Sequence, residues 1–230
     1  MIKYPPMKIL AIDRSTDTQS VALAMDGSVT GRVFAGMDSR SAEWPVKIRE
    51  FLAARGLSVG DLDQVLVGQG PGSFAGIRAA LAFAQGIALG SGEGRAKVVG
   101  LPSTYALTRD GARTAVVGDA RRDLFWVVVY DGVTLVKDFT LVTRDGLAGA
   151  VPEHWAVVTP DGARIEHLLQ GVFGHHYKGS LVPLAQRLAE VAVAHPDLPR
   201  PEPLPIYLQP AVRPPEGAAA NDPGEKKGAV

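Results

Sequence analysis

Short apolar runs and longer stretches with helical spacing take turns along this chain. "KILAID" (Lys8–Asp13) is a β-rich apolar run, and "SVALAM" follows after the polar "RSTDTQ". Asp26-Gly27 then signals a hairpin, because this pair accepts the left-handed backbone that matches strand twist. "SVTGRVFAG" reads as the return strand. Over Ser41–Ala54 the apolar positions Trp44, Ile48, Phe51 and Leu52 make one helical stripe, with Glu43, Lys47 and Glu50 elsewhere. Gly56 closes that helix. "DQVLVG" predicts a strand, Phe74–Leu89 a helix and "AKVVGL" another strand. Strands alternating with helices predict an α/β fold whose sheet has parallel parts and helices packed on it.

The pattern then repeats. "ILAIDRSTDTQSVALAMDGSV" from Ile9 and "AVVGDARRDLFWVVVYDGVT" from Ala115 both read as strand, aspartate, polar turn, strand, Asp-Gly turn and new strand. Asp13 corresponds to Asp119, and Asp26-Gly27 to Asp131-Gly132. A repeat this long predicts two copies of one domain rather than a solenoid. The expected boundaries are 7–108 for the first copy and 112–208 for a smaller, degenerate second copy. Ser180–His195 reads as a helix, Pro196–Pro205 is proline-rich, and "IYLQ" predicts one last docked segment. Residues 209–230 are dominated by Pro, Gly, Ala and charge, and read as a mobile tail. Pro5 and Pro6 would keep residues 1–6 out of a strand interior, so the fold is expected to begin at Met7.

The stretch "GQGPGSFAGIR", Gly68–Arg78, poses the central question: does it cradle phosphates or only turn the chain? It misses the Walker pattern, since Ser73 or Ala75 stands where the second glycine belongs and no lysine follows before Lys97. Gly70, Gly72 and Gly76 also miss the G-x-G-x-x-G spacing. Pro71 lacks an N–H that a phosphate nest would use. The alternative is that the glycines turn the chain and Ser73 caps the helix. Within Phe74–Leu89 the polar side chains are Arg78 and Gln85, seven apart and on one face. Gly76, Ala80, Ala84 and Ala88 form a ridge of small residues that admits a close neighbour. A helix this apolar is covered all round, either by its own chain or by a partner. Trp44, Ile48 and Phe51 are likewise a core stripe or part of the same contact.

Composition narrows the chemistry. With 46% apolar residues the chain can bury a real core. Its 24 basic and 24 acidic residues cancel, so it is not built as a nucleic-acid magnet. It has no cysteine, which removes disulfides, zinc–thiolate sites and cysteine nucleophiles. No run is long enough for a signal peptide or a bilayer span, and the expectation is a soluble cytoplasmic protein. Asp13 and Asp119 each end a strand, where a carboxylate can hold magnesium or cap a turn. In sugar-kinase and actin-type ATPases a glycine follows such an aspartate; here Arg14 and Ala120 do. The five histidines lack the i, i+4 spacing of a zinc protease, and His175 and His176 are expected to point apart. "GPGSFAG" places its serine and second glycine out of register for a serine-hydrolase elbow.

Taken together, "ILAIDRSTDTQSVAL", "GQGPGSFAGIRAALAFAQGIAL", "VVGLPS", "DARRDLFWVVVYDG" and "PIYLQ" resemble the bacterial TsaB family, also called YeaZ, in order from about Met7 to about Gln209. The resemblance implies the actin-like, sugar-kinase-like (ASKHA) fold of two duplicated RNase-H-like domains, the second degenerate. It implies a non-catalytic scaffold without cofactor or metal. Such a scaffold pairs with the transferase TsaD and the ATPase TsaE to place threonylcarbamoyl on the adenosine beside the tRNA anticodon. It implies a homodimer in isolation, contact with tRNA only through the complex, and no membrane. The family pairs through helices matching Ser41–Ala54 and Phe74–Leu89. Trp44, Ile48, Phe51, Gly76, Arg78, Ala80, Ala84, Gln85 and Ala88 are therefore the expected partner-binding residues. Asp13, Ser15 and Asp119 become candidate vestiges of a nucleotide or metal site. On this reading the glycine loop aims an interface helix. Two alternatives stay open: a small ASKHA-type ATPase or kinase using Asp13 and Asp119, and a glycoprotease-like peptidase.

Overall fold

A computed structural model describes residues 7–34, 43–92 and 96–209. The expected helix start at Ser41, residues 1–6 and the expected tail from 210 onward lie outside the described residues.

The first half folds as β1 (Ile9–Asp13), β2 (Gln19–Met25), β3 (Ser28–Phe34), α1 (Trp44–Ala53), β4 (Gln64–Gly68), α2 (Phe74–Gly90) and β5 (Lys97–Leu101). The second continues with β6 (Arg113–Arg121), β7 (Leu124–Asp131), β8 (Thr134–Thr143), α3 (Leu147–Ala150), β9 (Ala156–Thr159), α4 (Gly162–Phe173), β10 (Tyr177–Ser180) and α5 (Ala185–Ala194). The sheets run β3-β2-β1-β4-β5 and β8-β7-β6-β9-β10. Each starts as an antiparallel meander and adds two parallel strands through helical crossovers. The duplication seen in the sequence is thus a duplication of topology, two five-stranded mixed sheets with helices packed on them. The second copy is reduced: α3 has four residues where α1 has ten.

The hairpins show why the two copies sit one residue out of register. Asp26 and Gly27 both have positive φ, 52° and 76°, as a type I′ turn requires, and Met25 pairs with Ser28. In the second copy Asp131 pairs with Thr134, so Gly132 and Val133 form the turn and only Gly132 turns left-handed.

The strands alternate strictly between two apolar layers. In β1, Leu10 and Ile12 face α1 and α2, in a core with Trp44, Ile48, Phe51, Leu52, Ile77 and Leu81. Ile9 and Ala11 face the other way, into a second core shared by both sheets. The second sheet contributes Val116, Trp126, Val128, Tyr130 and Val158 to that shared core, and turns Val117, Val127 and Val129 toward α4. This two-sided burial is why β1, β4 and β7 read as continuous apolar runs. Helix α5, last in the chain, packs across β1, β2 and β3 inside the shared core. Small residues make room for it: Ala11, Ala22 and Ala24 line that face of the first sheet. The Ser20 hydroxyl accepts from the Ala185 N–H at 2.9 Å and pins the start of α5 to β2. Thr104 and Tyr130 share a buried hydroxyl–hydroxyl bond of 2.7 Å between the halves. Among the described residues, no helix is long and apolar enough to cross a membrane.

Candidate functional site

The glycine loop's question resolves at the end of β4. Gly72 has φ +154°, and a Cβ there would collide with the Ser15 carbonyl; at Gly76 it would collide with the Arg14 carbonyl. The Ser73 N–H donates to Ser15 O at 2.7 Å, and the Ser73 hydroxyl accepts from Gly76 N–H at 3.2 Å. The loop's glycines therefore let α2 press onto the β1–β2 turn, and Ser73 caps the helix. The N–H group that a phosphate would claim at Ser73 is already spent within the chain.

Beneath that contact lies Asp13, completely buried. Its Oδ1 accepts from the Ser15 N–H at 2.9 Å and the Ser15 hydroxyl at 2.7 Å, an Asx turn. Its Oδ2 lies beside the Ser103 hydroxyl across Gly68, where a Cβ would overlap the carboxylate. Burial pushes the Asp13 carboxyl above its ordinary 3.8; the Ser103 and Ser15 hydroxyls and the Ser15 N–H oppose this in part. Asp13 is a buried acid holding its own turn together.

A cleft of about 660 Å³ opens between the two halves. From the first half come the Ser15–Thr18 turn and Pro71–Phe74; from the second, Asp119–Arg122, Trp126, Pro160–Arg164, Ser180 and Val182; Ile206–Gln209 complete it. Of the three expected vestigial positions, Ser15 and Asp119 line this cleft and Asp13 does not. Asp119 accepts from Arg164 Nε at 2.8 Å and from the Arg121 N–H at 2.7 Å. Asp161, which sequence reasoning did not single out, accepts from the Asp119 N–H at 2.9 Å and pairs with the Arg164 guanidinium. Burial pushes its carboxyl up from 3.8, opposed by the Asp119 N–H and by Arg164. One guanidinium thus bridges both carboxylates of the second half. Among the described residues, no group of three histidine, aspartate or glutamate side chains is placed to hold a metal ion. A magnesium–nucleotide fits this donor set poorly: one acid is buried and capped, and the other two are bridged by Arg164.

The turn between β6 and β7 holds Arg121, Arg122 and Asp123 at φ 66°, 56° and 56°. Three successive left-handed residues other than glycine are uncommon, and here they set Arg121 and Arg122 into the cleft wall.

The expected partner-binding residues divide in two. Trp44, Ile48, Phe51, Gly76, Ala80 and Ala84 are buried in the chain's own first core, which corrects their reading as direct contacts. The small-residue ridge faces inward, because it lets α2 lie close to the Arg14–Ser15 turn as well as the sheet. Arg78 and Gln85 are exposed and Ala88 is half-exposed. The outer face of α2 consists of Phe74, Ala75, Arg78, Ala82, Gln85, Gly86 and Leu89, with Leu89 87% exposed. It is a second small-residue face, which the all-apolar pattern concealed. The histidines also differ from expectation: the rings of His175 and His176 stand 3.9 Å apart in a 3-10 turn (Gly174–His176), and His154 lies 5.5 Å from His176.

Residues 40–170 match the family model described as "TsaD: tRNA N6-adenosine threonylcarbamoyltransferase". The "tRNA threonylcarbamoyladenosine biosynthesis protein TsaB" of Escherichia coli (strain K12) is 38% identical over 85 residues, 37% of each chain. The protein of the same name from Haemophilus influenzae is 36% identical over 85 residues. The matches span little more than a third of those two relatives, 37% and 36% of their lengths. An uncharacterised protein of Mycobacterium tuberculosis (strain H37Rv) is 34% identical over 163 residues, 65% of this chain and 74% of that protein. Among solved structures, YeaZ from Pseudomonas aeruginosa superimposes with TM-score 0.67 at 22% identity, over 86% of this chain and all of that one. A second Pseudomonas aeruginosa protein, described as similar to peptidase YEAZ, reaches 0.70 at 21% identity, over 88% of this chain and 100% of its own. The chain belongs to the family that the TsaD model describes.

Proposed function

We propose that this chain is a non-catalytic subunit in tRNA threonylcarbamoyladenosine biosynthesis, acting in the cytoplasm by docking a TsaD-like transferase and working with a TsaE-like ATPase. The observation that carries the reading is the outer face of α2. It leaves Phe74 and Leu89 exposed between alanines and a glycine, with Arg78 and Gln85 among them. Such a face suits a second helix at close range. In isolation the same face would pair two copies of the chain. The relatives' names support the pathway. The internal engagement of Asp13, Asp119 and Asp161 supports a role without turnover of its own, against the ATPase and peptidase readings. With basic and acidic residues balanced, tRNA is held through the complex, since counterion release from several phosphates normally supplies such affinity.

The test is reconstitution. Threonylcarbamoylation of tRNA by a TsaD-like and a TsaE-like protein should require this chain, and Ala82→Arg on the outer face of α2 should abolish it. ATP hydrolysis or peptide cleavage by the chain alone, lost in Asp119→Ala, would refute the non-catalytic reading.

A further inference from the structure

The segment after α5 carries proline at every second position, Pro199, Pro201, Pro203 and Pro205, followed by Ile206–Gln209. Each proline fixes φ near −65° and removes a donor, so the segment is stiff before it docks and loses little entropy on docking. Its contacts run in order along the chain. Arg200 donates to Gln64 Oε1 at 3.0 Å and to Ala192 O at 2.7 Å. The two N–H groups of the Gln69 side chain serve the carbonyls of Glu202 and Leu204, both at 2.8 Å. The Gln69 carbonyl accepts from the Ile206 N–H at 2.9 Å. Tyr207 stacks on Phe74 with ring centroids 4.9 Å apart, Leu208 packs against the shared core, and Arg122 donates to Gln209 Oε1 at 3.4 Å.

Gln69 is 2% exposed and sits just after β4, in the first half. Gly100 lies under its amide, and a Cβ there would collide with it. The segment lies on the surface, with part of it open to solvent. Glu202, Leu204 and Tyr207 are exposed, and Ile206–Gln209 form cleft wall. Its far end meets Arg122, in the left-handed turn of the second half. A buried amide reading carbonyls two residues apart, beside an aromatic ring, is a recognition geometry for an extended proline-rich chain.

We propose that Gln69 and Phe74 form a docking groove for a proline-rich segment, filled by the chain's own Pro199–Gln209, and that this docking sets the spacing of the two halves across the cleft. The segment works as a releasable strap from the end of β4 to the β6–β7 turn. Its release widens the cleft while the shared core keeps the halves together.

Two readouts on the full chain test this. Amide hydrogen exchange reports the strap. A spin-label distance between Asp17→Cys and Ala163→Cys, on opposite cleft walls of a chain otherwise free of cysteine, reports the spacing. Gln69→Leu removes both side-chain bonds at similar volume, and exchange at residues 206–209 should rise roughly tenfold or more. Exchange in α5 should stay slow and the distance distribution should lengthen and broaden. Because Gln69 is buried, Ile206→Pro repeats the test from the strap side by deleting the N–H that Gln69 O accepts. In Ile206→Pro, faster exchange at residues 207–209 and the same lengthened distance support the proposal even where Gln69→Leu fails to fold. Unchanged strap exchange in Ile206→Pro, or a freed strap with an unchanged distance, overturns it.

Discussion

Asp13 is a buried strand-end acid whose hydrogen bonds close its own turn. Its folded carboxyl is held above 3.8 by burial, so the folded state binds this proton more readily than the unfolded chain does. The associated stability is complete below 3.8 and is lost as pH rises through the folded value. Asp13→Asn keeps one acceptor for Ser15 and carries no charge to desolvate. The variant should exceed the parent in denaturant midpoint at pH 7, and the difference should shrink as pH falls toward 4. A less stable variant at pH 7 would mean that the ionised carboxylate is itself required. Gly72 acts through space rather than charge. Gly72→Ala drives a methyl into the Ser15 carbonyl at a backbone angle that side chains avoid. It should cost about 1–3 kcal/mol or more, read as a lowered Tm.

At the scale of elements, α2 presents one small-residue face to its own sheet and another outward. Ala84→Arg forces an unpaired charge into the first core and should unfold the chain, with a cost of several kcal/mol. Ala82→Arg should leave stability within about 0.5 kcal/mol of the parent, as exposed substitutions do, and abolish the self-association proposed for this face, read by light scattering. A fully associated Ala82→Arg would remove this face from the interface. At the far corner, partial burial and the charges of His175, His154 and Lys178 hold His176 below its ordinary 6.5. The unfolded chain therefore takes up this proton first, and the corner's contribution is present above pH 6.5 and lost as pH falls through the folded value. Urea midpoints at pH 7.5 and 5.5 should differ more in the parent than in His176→Asn.

For the whole molecule, the decisive feature is that the inner faces of both sheets and α5 share one apolar core. Two copies of a domain built this way cannot unfold independently, because parting them exposes Trp126, Tyr130 and Leu188 together. Leu188→Ala, at a fully buried site on α5, should cost about 2–5 kcal/mol. It should lower tryptophan-fluorescence and far-UV transitions together, since Trp44 and Trp126 lie in different halves. Two separated transitions would show that the halves are independent folding units.

The sequence by itself determined the strands, their alternation, the duplication and the paired hairpins, because these follow from local periodicity and turn chemistry. β1 and β7 were legible as continuous apolar runs, and Ser73 as a cap, without any partner in view. Short polar spacing also revealed Asp13 and Asp119 as strand-end acids. Only the tertiary structure decided what those acids meet. Asp161 and Arg164 lie more than 40 residues from Asp119, and no local pattern predicts that one guanidinium bridges both carboxylates. The same limit governed α2, whose alanines and glycines are small on every face, so composition carried no sign of which ridge turns inward. Gln69 was invisible for a related reason: a lone glutamine after a strand acquires its role from carbonyls 133 and 135 residues away, brought to it by the fold of the whole chain.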